Sequence, residues 1–474
     1  MRFFERGWYG RRVLETTIDG PARKKASDDD DVARLCLVVV WASEDGDRLG
    51  EVLFPGDEAV FGRGPLEDES GENRVGLLRQ EPQKNLKAAA LESPFLSRRA
   101  LQLRESGDAI EVEALGKKSI RVGDAEMRAA TIREGDLFEI DGLYSFYCTR
   151  RPAFLPDSPG ATRARFGRAD DHGIVGESPA AWALRGAVAF FAKRNAHVLV
   201  TGPSGTGKEL VAQAVHRLSS RGKKELVARN AATFPSGLID AELFGNLANY
   251  PNAGMPERPG IIGQADGSTL FLDEIGELPT DLQAHLLRVL DSGEYQRLGD
   301  SKKRVADFRL IAATNRAVEE LKEDVAARLG LRVHLAGLDE RREDIPLLAR
   351  HLLQRAAAKD AHLKERFFAG DEPRLDAELV RALVLHDYST HVRELDGLIW
   401  KSASTSKGDT LELTKDVSKA VRITARPSPR ELSAEDIKAA LSKHGGVKDK
   451  AWRELALPSR HALHRLMKKL NVPD

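Results

Sequence analysis

The sequence predicts a multidomain chain: a β-sandwich, then an α/β domain on a parallel sheet with a helical extension, then a small helical tail. Three observations carry this reading. Short apolar runs broken by Gly and Asp turns fill residues 33–153. From Gly173 onward strands alternate with helices around a glycine-rich loop. Two stretches holding prolines, 154–172 and 425–432, separate these parts as linkers. The 474 residues are also too many for one hydrophobic core.

Composition narrows the class. Hydrophobic residues make up 41%, ordinary for a globular chain and too many for a disordered one. Lys+Arg and Asp+Glu both number 73, so charge is informative only by segment. The two cysteines, Cys36 and Cys148, exclude a disulfide framework and a cysteine metal cluster, and fit a reducing cytoplasm. The first 20 residues are Arg-bearing, without the apolar run of a signal peptide. No apolar stretch reaches the roughly 20 residues of a membrane helix, so a cytoplasmic protein with no membrane partner is expected.

Each element follows in order. Residues 1–32 read as a flexible arm, rich in Gly and Arg and then acidic. Strands are expected at 35–41, 59–61, 109–112, 119–122 and 143–148, with 64–94 as a mobile insertion. The α/β part, 173–335, has strands at 197–201, 225–229, 269–272 and 309–313 and a helix at 209–218. Residues 336–424 read mostly helical. The tail, 433–474, reads as three helices at 433–441, 448–455 and 459–470, with Ser459 as N-cap. Trp182, Trp400 and Trp452 read as core residues.

The chemistry begins at the glycine-rich loop. A buried strand at 198–201 runs into Gly202, Pro203, Ser204, Gly205, Thr206, Gly207 and Lys208. Glycines let backbone N–H groups approach phosphate oxygens, the helix N-terminus adds positive potential, and Lys208 reaches the terminal phosphates of ATP. Glu209 stands where the general pattern has a Ser or Thr for Mg2+. The strand at 269–272 then delivers Asp273 and Glu274 to its C-terminal end, where ligands bind in open α/β sheets. Asp273 is suited to holding Mg2+ and Glu274 to orienting the attacking water.

At this point the chain resembles a family. Gly202 through Glu209, with Glu after the lysine, looks like the Walker A motif of bacterial enhancer-binding proteins, the AAA+ activators of sigma-54 RNA polymerase. Further along stand Gly173-Ile174-Val175-Gly176, Glu242-Leu243-Phe244-Gly245, Ala312-Ala313-Thr314-Asn315 and Val392-Arg393-Glu394-Leu395. The resemblance implies an α/β AAA+ ATPase subdomain over 173–335 and a helical lid over 336–424. It implies that Asp273 and Glu274 form Walker B, that Asn230 holds Glu274, and that Asn315 senses the γ-phosphate. Arg393 then reaches nucleotide from the lid, and Ile174 and Val175 lie near the adenine. Arg328 serves as an arginine finger in a neighbour's site, which implies a homo-oligomeric ring, a hexamer. Where the family carries a second arginine this chain has Lys322, which loses the planar fork.

The ends carry two further resemblances. Residues 426–474 hold 11 Lys and Arg against six Asp and Glu, and the last helix presents Arg460, His461, His464, Arg465 and Lys468. Two helices on a short turn, the second basic, fit a helix-turn-helix that grips DNA phosphates and bases. The segment resembles the Fis-type domain of the same regulators. In the sandwich, Phe61-Gly62-Arg63-Gly64 and Phe95-Leu96-Ser97-Arg98-Arg99 resemble a forkhead-associated (FHA) domain. That resemblance implies a phosphothreonine protein as partner, met by Arg63, Ser97 and Arg98. It departs from the family at Ala100 and at 116–119, which leaves a scaffold without phosphopeptide affinity as the other reading.

One loop separates the functional alternatives. The enhancer-binding family carries Gly-Ala-Phe-Thr-Gly-Ala on the loop that touches sigma-54. Here the corresponding stretch reads Asn249-Tyr250-Pro251-Asn252-Ala253-Gly254, and Pro251 fixes φ. The first reading is an ATP-driven sigma-54 activator. The second is a DNA-binding AAA+ regulator or repressor that does not remodel sigma-54. A phosphopeptide scaffold with a vestigial ATPase is a third, disfavoured by the intact nucleotide motifs.

Overall fold

A computed structural model of the chain describes residues 33–66, 71–235, 237–250, 252–423, 434–455, 457, 460–470 and 472. The arm at 1–32, the linker at 425–432, Pro251 and the capping Ser459 lie outside the described residues.

The N-terminal part is the expected sandwich, of an eight-stranded and a four-stranded sheet. At the centre of the larger sheet Ala33–Ala42 runs antiparallel to Tyr144–Pro152, from Ala33 opposite Pro152 to Ala42 opposite Tyr144, with a bulge between Val39 and Trp41. The run from Leu35 to Val40 is buried without alternation. Such a strand is covered on both faces, here by the second sheet and by the lid. Phe138 stacks on Phe146 at 5.3 Å and Phe61 meets Phe146 edge-on at 5.7 Å, filling the space between the sheets. The insertion at 64–94, expected to be mobile, carries regular structure. Its strands Leu78–Glu81 and Lys84–Lys87 form a hairpin that extends the larger sheet.

The α/β part has five parallel strands, in the order Val227–Asn230, Thr269–Asp273, Arg309–Thr314, Val198–Thr201, Leu331–His334. Val198, Val200, Ile311 and Ala313 are fully buried, as befits strands covered on both faces. Helix Pro179–Ala192 opens with proline at its first position, and Ser178 Oγ accepts from Ala181 N at 3.2 Å. The lid holds helices Ile345–Ala357, Ala361–Phe367, Ala377–Leu385, His391–Thr405 and Lys415–Ala420. The tail holds helices Ala434–Lys443, Lys448–Glu454 and Arg460–Lys469, packed on Ile437, Ala451, Trp452, Leu463 and Met467.

The sandwich and the lid share one apolar core, in which Leu35 and Leu37 belong with Ile345, Leu379 and Leu383. Polar bonds cross the same boundary: Trp41 Nε1 donates to Leu375 O at 2.8 Å, and Arg350 Nη1 to Gly46 O at 2.7 Å. The segment expected as a linker, 154–172, is built into this joint. Leu155 is fully buried, and Gly167 N donates to Glu177 Oε1 at 2.7 Å. Buried Leu155 and the bonded Gly167 make it a packed connection and not a free tether. Trp182 and Trp452 are buried as expected, whereas Trp400 is 45% exposed, on the outer face of its lid helix.

Candidate nucleotide site

Parallel register brings the functional strand ends to one edge. Asn230 stands opposite Asp273, and Thr201 opposite Thr314. The chain leaves Thr201 through Gly202, whose N–H donates to Thr314 O at 3.3 Å, and turns into helix Lys208–Leu218. The loop needs its glycines. A Cβ on Gly202 would lie 2.7 Å from Leu335 O, one on Gly205 would lie 2.1 Å from Thr390 O, and Gly207 has φ 102°. Thr206 Oγ1 donates to Pro203 O at 2.9 Å and closes the turn. The result is a bed of backbone N–H groups at a helix N-terminus, suited to phosphate.

Lys208 is buried, and its Nζ donates to Gly202 O at 3.0 Å and Pro203 O at 3.3 Å. Glu274 Oε1 lies 3.8 Å from the same Nζ, and Glu274 Oε2 accepts from Asn315 N at 3.2 Å. Asn230, expected to hold Glu274, instead donates through Nδ2 to Asp273 Oδ2 at 3.3 Å. Glu274 itself has φ 51°, and its carboxylate faces Lys208 and Asn315. Asp273, at the strand end, completes an acid pair beside the Lys208 ammonium and the loop backbone. This donor set fits a nucleoside triphosphate with a hard divalent cation.

The remaining expected residues divide. Arg393 of the lid donates through Nη1 to Ser204 Oγ at 3.4 Å, and Val392 N donates to Gly205 O at 3.1 Å, so the lid rests on the phosphate loop. Glu209 is exposed and accepts from Gln213 at 3.2 Å, one turn along its helix. Ile174 and Val175 are buried in the apolar cores at the start of the domain. Arg328 forms a fork with Asp291, at 2.9 and 3.1 Å, on the outer side of the same chain. Lys322 N donates to Gln283 Oε1 at 3.0 Å.

Residues 174–338 match the Sigma-54 interaction domain and residues 339–434 the AAA+ ATPase lid domain. Transcriptional regulatory protein ZraR of Escherichia coli K12 is 35% identical over 325 residues, covering 65% of this chain and 70% of that protein. The chain belongs to the sigma-54-dependent transcriptional regulators of the ZraR and NtrC type. DNA-binding transcriptional regulator NtrC of Klebsiella pneumoniae is 37% identical over 297 residues, covering 61% of this chain and 60% of that one. Among solved structures, NtrX from Brucella abortus in complex with ADP is 29% identical, with TM-score 0.46 over 64% of this chain and 70% of that one.

Outside its ATPase part the regulator brings two other expected groups into view. At one end of the sandwich Arg63 N donates to Ser97 O at 3.0 Å, and Lys117 N to Ser97 Oγ at 3.4 Å. Arg74 Nη2 donates to Arg63 O at 2.8 Å and Arg98 O at 3.0 Å, tying both loops together. Arg63, Ser97 and Arg98 therefore meet at one end, with Lys117 beside them. In the tail Arg460 pairs with Asp449 at 3.5 Å, Arg465 pairs with Glu134 of the sandwich, and Lys468 is exposed. His464 is half-buried, and the His461 side chain lies outside the described residues. Among the described residues no helix is long and apolar enough to cross a membrane, and no group of three or more His, Cys, Asp and Glu is placed to hold a metal.

Sequence reasoning assigned no role to three further groups. His391 and Glu394 brace the lid beside Arg393, and Arg74 braces the sandwich loops. Glu394 accepts from His386 Nε2 at 3.1 Å and from Ser389 N and Thr390 N at 2.6 and 3.0 Å. Burial raises its carboxyl, but these bonds and that from Arg422 prevail and hold it at about 2. The positive φ that His391 must adopt is a three-dimensional requirement that no single-sequence pattern announces.

Proposed function

We propose that this regulator hydrolyses ATP, binds DNA through its helical tail, and takes a phosphothreonine signal through its FHA-like sandwich. One observation carries the enzymatic reading: Lys208, Asp273 and Glu274 converge at the mouth of a glycine loop on a helix N-terminus. In this reading the loop amides and Lys208 hold the β- and γ-phosphates of ATP, and Asp273 holds Mg2+. When bound, Mg2+ neutralises charge on the phosphate oxygens. Glu274 orients the water, Asn315 monitors the γ-phosphate, and Arg393 closes over it from the lid. Arg328 reaches a neighbouring subunit's site in a homo-oligomeric ring, a hexamer when active, where such a finger contributes roughly 10³–10⁵ in rate.

The test is ATP turnover by the full chain across a concentration series. Activity should rise as the ring assembles. Lys208→Ala should lose nucleotide binding, and Glu274→Gln should bind ATP without turning it over. Equal turnover by Glu274→Gln and the unmodified chain would end this reading. A second reading has its own observation. The loop 246–258, which in the family meets sigma-54, is hydrogen-bonded onto itself. It supports a regulator that binds DNA and ATP without remodelling sigma-54 RNA polymerase.

A further inference from the structure

His391 is a buried residue with φ 45°, the left-handed region that side chains other than Gly, Asn, Asp and His seldom enter. It opens helix His391–Thr405, two residues before Arg393. Its Nδ1 accepts from Leu338 N at 3.1 Å. Because an amide N–H can only donate, Nδ1 carries the lone pair and the ring proton sits on Nε2. Leu338 opens the first turn of the lid, next to Gly337 and four residues past the end of the strand Leu331–His334. Gly337 packs on the imidazole so closely that a Cβ there would lie 2.6 Å from the ring.

The same turn of chain lies on the phosphate loop. Thr390 O presses on Gly205, where a Cβ would be 2.1 Å away, and Val392 N donates to Gly205 O at 3.1 Å. On the other side of the loop, Leu335 N donates to Thr201 O at 2.8 Å. A closed circuit results. The strand end holds Leu335, the hinge Gly337-Leu338 holds His391, and the residues flanking His391 hold Gly205 and, through Arg393, Ser204. His391 is the side chain that joins the hinge to the nucleotide-facing end of the lid helix.

We propose that His391 is a positioning residue for ATP turnover, fixing the core–lid hinge so that Arg393 stands over the phosphate loop. The inference rests on the ATPase reading above. It separates two properties, the positive φ and the acceptor. Asn tolerates the same φ, and its Oδ1 occupies the place of Nδ1 on Cγ. Gly supplies the φ without the acceptor, and Ala supplies neither.

The experiment measures kcat and KM for ATP on the full chain for His391→Asn, His391→Gly and His391→Ala, each also melted to confirm folding. His391→Asn should stay within about threefold of the unmodified chain, and His391→Gly should lose about tenfold in kcat/KM, the worth of one buried hydrogen bond. His391→Gly placed in an Arg393→Ala background should cost little more than Arg393→Ala alone, because the two act as one unit. Full activity in His391→Gly, no rescue by Asn, or additive losses with Arg393→Ala would each overturn the proposal. Absence of turnover in the unmodified chain would overturn the ATPase reading with it, and is told apart by appearing before any substitution.

Discussion

Arg151 Nη2 lies 3.3 Å from Glu343 Oε1, with 1% and 6% of the two side chains exposed. The pair stands where three parts meet: Arg151 lies in the last strand of the sandwich, Glu343 lies in the first turns of the lid, and Arg151 Nη1 also donates to Glu177 O at 3.1 Å. Burial raises the Glu343 carboxyl, and the guanidinium opposes that rise. Removing one partner leaves the other buried and uncompensated, which costs roughly 3–5 kcal/mol. Arg151→Ala should therefore lower the urea midpoint of the full chain markedly. The double variant Arg151→Met with Glu343→Leu should recover most of the loss. A midpoint for Arg151→Ala equal to that of the unmodified chain would show that sandwich and lid are not held through this pair.

Two carboxylates give opposite pH signs. Burial raises Glu177 to about 7, against the attraction of Arg185 and a hydrogen bond from Gly167. A folded value above the ordinary carboxylate value of about 4.3 stabilises the fold at low pH, and the contribution fades as pH rises through about 7. Stability should fall between pH 5 and 8 by more in the unmodified chain than in Glu177→Gln, which keeps an acceptor for Gly167 N. Glu394, held at about 2, contributes stability above the ordinary value that is lost as pH falls through about 2. Glu394→Gln should blunt the acid-side loss. Parallel pH curves for all three proteins, from chemical denaturation, would contradict both assignments.

The basic end of the sandwich predicts a phosphate-dependent ligand. A phosphothreonine peptide should bind more tightly than its unphosphorylated form, and Arg63→Ala should erase the difference. Loss of a charge-assisted hydrogen bond is worth about 1.5–3 kcal/mol, on the order of 10- to 100-fold in affinity. Anisotropy titration with a phosphothreonine peptide library reads this directly. Equal binding of both forms would leave the sandwich as a scaffold docked on the lid.

The sequence revealed this architecture unevenly, for physical reasons. The glycine loop, Asp273 and Glu274 were legible because nucleotide chemistry needs those residue types at local spacings. The strand at 33–42 was legible as a strand, but its unbroken burial was not yet legible as a docking face for the lid. That depends on residues 300 and more positions away, such as Ile345 and Leu379. The linker at 154–172 looked polar and proline-bearing, yet Leu155 and Gly167 are locked by long-range partners. The resemblance implies that Asn230 holds Glu274; in the structure the Asn230 amide donates to Asp273, a choice between adjacent carboxylates that sequence spacing does not decide.

The loop after Gly245 gives the last prediction. Asn246 is fully buried, and its Nδ2 donates to Leu247 O and Pro256 O, both at 2.9 Å. Arg258 and Asn246 exchange backbone bonds at 3.0 and 3.1 Å, and Asn249 N donates to Met255 O at 2.8 Å. Asn249 has φ 63° and its Oδ1 accepts from Gly254 N at 2.8 Å, so its side chain and backbone both close the turn. The Tyr250 ring lies over Gly299, where a Cβ would come within 2.6 Å of it, and Leu247 N donates to Leu298 O at 3.0 Å. A loop that must rise to meet a partner would have to break these bonds together, each worth about 1 kcal/mol. The unmodified regulator should therefore hydrolyse ATP and bind DNA yet form few or no open complexes with sigma-54 holoenzyme. Exchanging residues 249–254 for Gly-Ala-Phe-Thr-Gly-Ala removes the Asn249 closure and the Tyr250 contact. That variant should gain sigma-54 binding in the presence of a transition-state nucleotide mimic, measured by gel shift. Efficient open-complex formation by the unmodified chain in a run-off assay would refute the prediction and make this an ordinary activator.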